Sequence, residues 1–274
     1  MAARKALLAT AGATTYCGAT YIGYLYFRAD EAPSACGCGG SDGAPSLSLS
    51  DPRRAERFDS IAPCYDSRIN FDENIMGIPL LRRWLLRSHA SGSVLEVGAG
   101  TGRNVKHYPR GGAVSKVTLT DASASMVLEA RRAVTDAPSD CPPMRVDVAN
   151  ASSLDGTFDP NSFDTVVDTF GLCSYDDPVA VLQQMAKLCR PGGKLLLLEH
   201  GRSKTWDVVS RALDKSAGRH AEEWGCVWNK DIDAILEEVK GELEVEVLWT
   251  WHFGTTYYVV CRPKKRVGVE GDHK

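Results

Sequence analysis

The stretch Val94-Leu-Glu-Val-Gly-Ala-Gly-Thr-Gly102 decides the fold of this 274-residue chain. Its first four residues indicate a buried β-strand, and the glycines that follow are Gly98, Gly100 and Gly102. Glycine at every second position removes the Cβ atoms that would hold a ligand away from the backbone, and it permits a sharp turn into a helix. The stretch therefore predicts a ligand-binding loop at the end of the first strand of an α/β domain.

The charge of this loop indicates what kind of ligand it binds. The dinucleotide fingerprint G-x-G-x-x-G would need a glycine where Arg103 stands. Such a loop also directs helix N–H groups at an anion, whereas Glu96 is expected to point into the pocket and would repel one. A carboxylate suits a ligand with positive charge. We therefore expect S-adenosylmethionine, which carries an ammonium and a sulfonium, as the cofactor.

The second strand supplies the next expected contact. Lys116–Asp121 is an apolar strand that ends in a carboxylate, and Asp121 could accept hydrogen bonds from both ribose hydroxyls. A helix is then expected to begin within Asp121–Met126, with Ser123 as its N-cap. The pattern predicts that the ribose lies at the end of this strand.

Later segments continue the alternation of strand and helix. Met144–Asp147 is a third strand, and its final carboxylate, Asp147, could accept from the adenine amino group. Four further elements follow in order: a strand at Phe163–Thr169, a helix at Pro178–Cys189, a helix stop at Arg190–Gly193 and a strand at Lys194–Glu199.

Taken together, these motifs resemble the class I S-adenosylmethionine-dependent methyltransferases, and most closely the UbiE/COQ5-type group. The motifs are Leu95–Gly102, Asp121 with Ser123 and Met126, Asp147, and Leu188–Lys194. Three other segments are similar to membrane-anchored Oms1-type proteins and, more distantly, to methyltransferase-like 7 proteins: Thr169–Pro178, Leu198–Ser203 and Arg219–Asn229. The resemblance covers about Arg53 to Pro263.

This resemblance implies an α/β fold, a Rossmann-like seven-stranded and mostly parallel sheet with one antiparallel strand and helices on both faces. It also implies that Tyr65 and Asp66 form a lid over the cofactor, although Tyr65 could equally be a packing aromatic. The full set of expected cofactor-binding residues is Tyr65, Glu96, Gly98, Gly100, Gly102, Asp121, Met126, Asp147, Val148 and Thr169.

Patterns at the two ends of the domain predict the remaining elements. Arg53–Asn70 is expected to be a helix followed by a turn, and Leu80–Ser88 a helix that leads into the first strand. In the C-terminal third we expect helices at Trp206–Gly218 and Asp231–Val239, then a hairpin of strands Leu243–Trp251 and Thr256–Arg262.

Histidines supply the candidates for chemistry on the methyl acceptor. His200 follows the fifth strand at the sheet edge where such folds bind ligands, so it is a candidate general base, or else a histidine satisfied by local hydrogen bonds. His220 and Trp224 could line a substrate pocket or simply pack, and His252 is a third candidate. The spacing of Asp, His and Cys residues shows no metal-ligand pattern, so no metal is expected in the mechanism.

Composition limits the possible functions. A net charge of −3 argues against a dedicated nucleic-acid binder. The nine cysteines have no regular spacing and do not form a disulfide framework. Cys173, Cys189 and Cys261 are expected to be small core residues. Cys36 and Cys38 lie in a loop-like stretch, as an inert pair or with a redox or shared-metal role.

The N-terminal segment indicates a membrane anchor. Ala6–Phe27 is 22 residues without a charge, enough to cross a hydrocarbon core of about 30 Å. A single N-terminal transmembrane helix is therefore expected, with a cleaved signal or transit sequence as the alternative. The predicted organisation is an anchor at 1–28, a flexible linker at 29–52, a methyltransferase domain at 53–263 and a basic, polar tail at 264–274.

Three functions remain open at this point. The first is a membrane-anchored methyltransferase acting on a small apolar or membrane-associated acceptor, such as a quinone precursor, a lipid or a thiol. The second is an assembly factor or structural subunit of a mitochondrial membrane complex. The third is an RNA or protein methyltransferase. The resemblance implies the mitochondrial inner membrane, with the endoplasmic reticulum or another membrane as the alternative.

Overall fold

The structure is a computed structural model that describes residues 54–264. Its seven strands are β1 (Gly92–Val97), β2 (Val114–Asp121), β3 (Met144–Val148), β4 (Phe163–Thr169), β5 (Cys189–His200), β6 (Leu243–Trp251) and β7 (Thr256–Pro263). They form one sheet in the order β3-β2-β1-β4-β5-β7-β6, and β7 runs antiparallel to both of its neighbours. The mostly parallel, seven-stranded sheet implied by the family resemblance is therefore confirmed.

Helices cover both faces of the sheet, which explains why the central strands are apolar on both sides. The described helices are α1 (Arg54–Ile75), α2 (Ile78–His89), α3 (Ala124–Thr135), α4 (Pro178–Leu188), α5 (Asp207–Trp224) and α6 (Ile232–Glu238). In β1, Leu95 belongs to the core on the face of α4, whereas its neighbour Val94 belongs to the core on the face of α2.

Two helices are longer than the sequence predicted, because glycine ends them further along the chain. Helix α1 continues to Ile75 without the expected turn, and Gly77 then adopts a φ of 67° before α2. Helix α5 passes Gly218 and ends at Gly225, whose φ is 74° and whose N–H bonds to the carbonyl of Ala221. A left-handed glycine of this kind is a common helix C-terminus.

Two other segments differ from the prediction. The glycine loop leads into a single 3₁₀ turn, Val105–His107, instead of an α-helix. Arg190–Gly193, expected to separate a helix from a strand, lies within β5 as an irregularity of the ladder. There Cys189 pairs with Phe163, and the next registered pair on that side is Lys194 with Thr165.

No helix among residues 54–264 is long and apolar enough to cross a membrane. The expected anchor, the linker with Cys36 and Cys38, and the tail beyond Lys264 lie outside the described residues.

Candidate active site

The three glycines of the loop all have left-handed backbone, but they serve different purposes. Their φ values are 61°, 55° and 81° for Gly98, Gly100 and Gly102. A Cβ atom on Gly98 would lie 2.5 Å from the Tyr175 hydroxyl, and one on Gly102 would lie 3.2 Å from the Cα of Ala130. A Cβ atom on Gly100 would meet no protein atom within 4 Å. Packing therefore requires Gly98 and Gly102, while Gly100 leaves the backbone open to a ligand.

Asp121 is fixed directly beside this loop. Its Oδ2 accepts a hydrogen bond of 2.9 Å from the N–H of Gly100, and its Oδ1 accepts one of 2.9 Å from the N–H of Ser123. Burial raises the pKa of Asp121, while these N–H donors act in the opposite direction. The hydroxyl of Ser123 accepts from the N–H of Met126, so the predicted N-cap is confirmed.

A cavity of about 250 Å³ lies over the loop at the carboxyl ends of the central strands. This edge, between β1 and β4, is where the strand order reverses and where open α/β sheets bind ligands. Six of the ten expected cofactor-binding residues line the cavity: Tyr65, Gly98, Gly100, Asp121, Met126 and Thr169.

Glu96 is buried and is not among the residues that line the cavity. Its carboxylate is buried and accepts hydrogen bonds of 2.9 Å from Asn104 and 2.6 Å from the Tyr108 hydroxyl. Burial raises the pKa of Glu96 to about 7, although both hydrogen bonds oppose the rise. Glu96 was expected to point into the pocket, whereas in the structure its side chain lies outside the cavity lining.

The other three expected residues, Gly102, Asp147 and Val148, also lie outside the cavity lining. The carboxylate of Asp147 is 3.3 Å from the guanidinium of Arg145, and Val148 is 55% exposed. Strand β3 extends one residue beyond the predicted end, and the cavity is lined instead by residues 149–152. Gly102 packs against helix α3, as described above.

Helix α1 covers the cavity and is bonded to both of its walls. The carboxylate of Asp66 accepts hydrogen bonds of 2.7 Å from Thr101 and 2.8 Å from Arg103. At the other side, the carboxylate of Asp59 accepts one of 2.5 Å from the hydroxyl of Ser123. The lid role implied for Tyr65 and Asp66 stays a prediction, and these bonds hold their helix over the cavity.

The sequence did not predict a buried ionic network behind the cavity. Arg82 donates to Thr169 at 2.7 Å and to Asn104 at 3.1 Å, and it pairs with Glu73 at 2.9 Å. Burial acts to raise the pKa of Glu73, but the guanidinium groups of Arg82 and Arg103 outweigh it and lower that pKa. The network links helices α1 and α2 to the end of β4.

A second cavity of about 190 Å³ adjoins the first. Phe58, Tyr65, Phe170 and Ser174 line both cavities. The backbone of Phe170 has a φ of 61°, a conformation that is costly for a bulky residue and that clusters at functional sites.

Three of the four residues proposed for substrate chemistry line the second cavity: His200, His220 and Trp224. His252 is not among its lining residues. Its Nε2 lies 2.9 Å from the carbonyl oxygen of Met76, and its Nδ1 lies 2.8 Å from the hydroxyl of Thr256.

The second cavity also holds two cysteines that sequence spacing did not bring together. Ligand atoms of Cys173, His200 and Cys226 all lie within 4.8 Å of one another. These residues are 27 and 26 positions apart in sequence, so no local motif connects them. Cys173 is buried, as predicted, and it also belongs to this cluster. The cluster arises from the fold and not from sequence spacing, and the expectation that no metal takes part in the mechanism stays a prediction. Cys189 and Cys261 are core residues, as predicted.

The pKa values of the two thiols in this cluster shift in opposite directions. Burial acts to raise the pKa of Cys173, but the thiol of Cys226 and the imidazole of His200 lower it well below the usual range. Burial raises the pKa of Cys226 well above the usual range, and the neighbouring sulfur of Cys173 adds to this effect.

Comparison with known proteins agrees with this geometry. Residues 95–197 match the family described as "Methyltransferase domain". A SAM-dependent methyltransferase of Leishmania major has the same fold, with a TM-score of 0.56 at 15% identity over 79% of this chain and 87% of that one. The structure titled DhpI-SAH complex also has a TM-score of 0.56, at 18% identity over 78% of this chain and 96% of that one.

Two curated relatives show higher identity. The mitochondrial methyltransferase OMS1 of Saccharomyces cerevisiae is 32% identical over 212 residues, which are 73% of this chain and 44% of the relative. The ubiquinone/menaquinone biosynthesis C-methyltransferase UbiE of Hahella chejuensis is 37% identical over 165 residues, 58% of this chain and 64% of the relative. This chain therefore covers less than two thirds of either relative's own length.

The match at residues 95–197 and the fold define this part of the chain as a methyltransferase domain, and S-adenosylmethionine is its cofactor. The predicted resemblance to the UbiE and Oms1 groups is confirmed.

Proposed function

We propose that the whole chain is a membrane-anchored methyltransferase that acts on a small apolar or membrane-associated acceptor. The observation that carries this proposal is the pair of adjoining cavities. The first is formed by the glycine loop and Asp121, and the second has a largely apolar and aromatic wall that includes Ile69, Leu213, Trp224 and Trp228. A polar cofactor and an apolar acceptor would each find a matching surface.

The cofactor carries the methyl group on its sulfonium, and the chain's own residues position it. Asp121 would bind the ribose, and the open backbone at Gly100 would allow close approach. Tyr65 would close over the cofactor from helix α1. Asp147 remains a predicted adenine contact and Val148 a predicted cofactor contact, while Glu96 would act through its hydrogen bonds with Asn104 and Tyr108.

The second cavity would hold the acceptor beside the donor, because methyl transfer needs an aligned, short approach. His200 is the last residue of β5 and lines this cavity, so its imidazole is the proposed proton acceptor when the nucleophile is protonated. Its Nε2 lies 3.3 Å from the sulfur of Cys226.

The relatives support the proposed setting. The yeast relative is a mitochondrial methyltransferase, and the bacterial relative is a methyltransferase of ubiquinone/menaquinone biosynthesis. A quinone precursor is apolar and concentrates in membranes. We therefore propose the mitochondrial inner membrane, with the catalytic domain at 53–263 held there by the segment 1–28.

The proposal is tested by incubating membranes that contain the full chain with methyl-labelled S-adenosylmethionine. The label is then followed in organic-extractable, small polar, RNA and protein fractions, with the Asp121→Ala variant as the matched control. We expect chain-dependent label in the organic fraction, and much less with the variant. Chain-dependent label in RNA or protein, or none in any fraction, would contradict the proposed acceptor class.

A further inference from the structure

We propose that Cys173, His200 and Cys226 bind a zinc ion in the wall of the second cavity, with the fourth coordination position open to that cavity. The three residues come from separate elements. Cys173 lies in the 3₁₀ turn Leu172–Ser174, His200 ends β5, and Cys226 follows α5. Their ligand atoms lie within 4.8 Å of one another.

The distances suit a tetrahedral ion. Zn–S bonds of about 2.3 Å and Zn–N bonds of about 2.1 Å separate a sulfur from a nitrogen by about 3.6 Å at the tetrahedral angle. The sulfur of Cys226 lies 3.3 Å from Nε2 of His200. A small outward movement of these side chains would place the ion between them.

The donor set favours zinc and suits the burial of the site. Thiolate and imidazole ligands together are typical of zinc, whereas calcium and magnesium need oxygen ligands. Cys173 and Cys226 are 1% and 6% exposed. Two thiolates balance the charge of Zn²⁺, so the complete site would place no net charge in this buried position.

The fourth position would face the acceptor. Zinc sites that act in catalysis combine three protein ligands with a water or a substrate atom. His220 lies beside the cluster, with its Nε2 at 4.0 Å from the sulfur of Cys226 and its ring centroid 3.9 Å from that of Trp228. We place His220 at the border of the open position and not among the three ligands.

Zinc binding would change the role of His200, because a metal-bound Nε2 cannot also accept a proton. The inference is independent of the acceptor proposed above, since metal content is measurable without methyl transfer. A chain that binds zinc but transfers no methyl group would therefore refute the proposed function alone.

The test measures zinc in the full chain, purified in detergent under reducing conditions and dialysed. We expect one zinc per chain by mass spectrometry of the metal. Loss of an outer-shell partner alone costs roughly 10–100-fold in metal affinity. Because Cys173→Ser and Cys226→Ser each remove a ligand itself, each should raise the zinc dissociation constant by more than this. Cys141→Ser is the matched control, because this cysteine lies outside the cluster, and it should bind zinc as the wild type does. His200→Asn should also lose zinc.

X-ray absorption of the zinc-loaded wild type removes any dependence on variant folding. The expected first shell contains two sulfurs and lighter nitrogen or oxygen atoms. Substitution with cobalt should give a thiolate charge-transfer band, and azide should shift the cobalt spectrum if the fourth position is open. A folded, reduced wild type that binds no zinc, a shell without sulfur, or full zinc retention by a Cys173→Ser/Cys226→Ser variant would each overturn the site.

Discussion

The carboxylate of Asp66 accepts a 2.7 Å hydrogen bond from the hydroxyl of Thr101, and this contact joins helix α1 to the glycine loop. Arg103 donates to the same carboxylate oxygen, so helix α1 and the loop share one charged connection. The helix that we propose as a lid and the loop that we propose to hold the cofactor are therefore fixed to each other.

We predict that Asp66→Ala raises the dissociation constant for S-adenosylmethionine about 5- to 30-fold, or about 1–2 kcal/mol, because it removes two hydrogen bonds to a charged group. Calorimetry measures the change. Ser67→Ala is the control, since the exposed hydroxyl of Ser67 bonds only to the Cys64 carbonyl within its own helix. Equal affinities for Asp66→Ala and wild type would exclude the lid connection.

A larger loss is predicted for Asp121→Ala. The substitution removes the proposed ribose contact and the hydrogen bonds that hold Gly100 and Ser123. The free energy of binding for S-adenosylmethionine and its demethylated product should weaken by about 1.5–3 kcal/mol. Asp121→Asn keeps one acceptor oxygen, so its affinity for S-adenosylmethionine should lie between those of the wild type and Asp121→Ala. If the folded wild type gives no binding heat in calorimetry, the assignment of the cavity fails.

The third prediction concerns pH and Glu96. Burial raises the pKa of Glu96 from 4.5 to about 7, so the native state holds this proton more tightly than the unfolded state does. Its stabilising contribution is fully present below pH 4.5 and is lost as the pH rises through about 7. Glu96→Gln cannot ionise, so the fall in the free energy of unfolding between pH 5 and pH 8 should shrink by about 2–3 kcal/mol.

Urea unfolding at the two pH values measures this difference. Comparing pH values within each variant removes the constant cost of presenting an amide to the donors Asn104 and Tyr108. The exposed Glu244 supplies the control, and Glu244→Gln should keep the wild-type pH dependence. An unchanged profile in Glu96→Gln would show that this carboxyl ionises normally.

The fourth prediction concerns turnover. His200→Asn keeps polarity and approximate size but cannot take a proton near neutral pH or replace an imidazole ligand. Turnover should fall about 10²–10⁴-fold while cofactor affinity stays nearly constant. Complementation of a null strain serves as the assay, with His89→Asn on helix α2 as the control. Full rescue by His200→Asn would remove the residue from the chemistry, and its zinc content separates the proton-acceptor role from the ligand role.

The fifth prediction concerns the anchor. If Ala6–Phe27 spans a bilayer, alkaline carbonate should leave the full chain in the membrane pellet, while a chain that starts at Asp51 should be recovered in the supernatant. Release of the full chain by carbonate would favour a cleaved or peripheral segment.

Local sequence was sufficient to predict most strands and helices, because each signal lies within one element, while the fold that they build was implied by the family resemblance. The apolar strand before Gly98, the N-cap at Ser123 and the hairpin of β6 and β7 are each indicated by a few neighbouring residues. All three are present in the structure. Helix ends were less predictable. Helix α5 was expected to end at Gly218, but it continues to Gly225, and of these two glycines only Gly225 has a left-handed backbone.

The sequence by itself determined the individual strands, the glycine loop and the position of Asp121 at the end of a strand, because periodicity and glycine spacing act between near neighbours in the chain; the sheet that the strands form was implied by the family resemblance. Only the tertiary structure decided that the carboxylate of Glu96 is buried against Asn104 and Tyr108, and that Arg82 joins two helices to β4. It alone brought Cys173 and Cys226 to His200. Such contacts depend on how distant elements pack across a sheet edge, and no spacing along the chain encodes that distance.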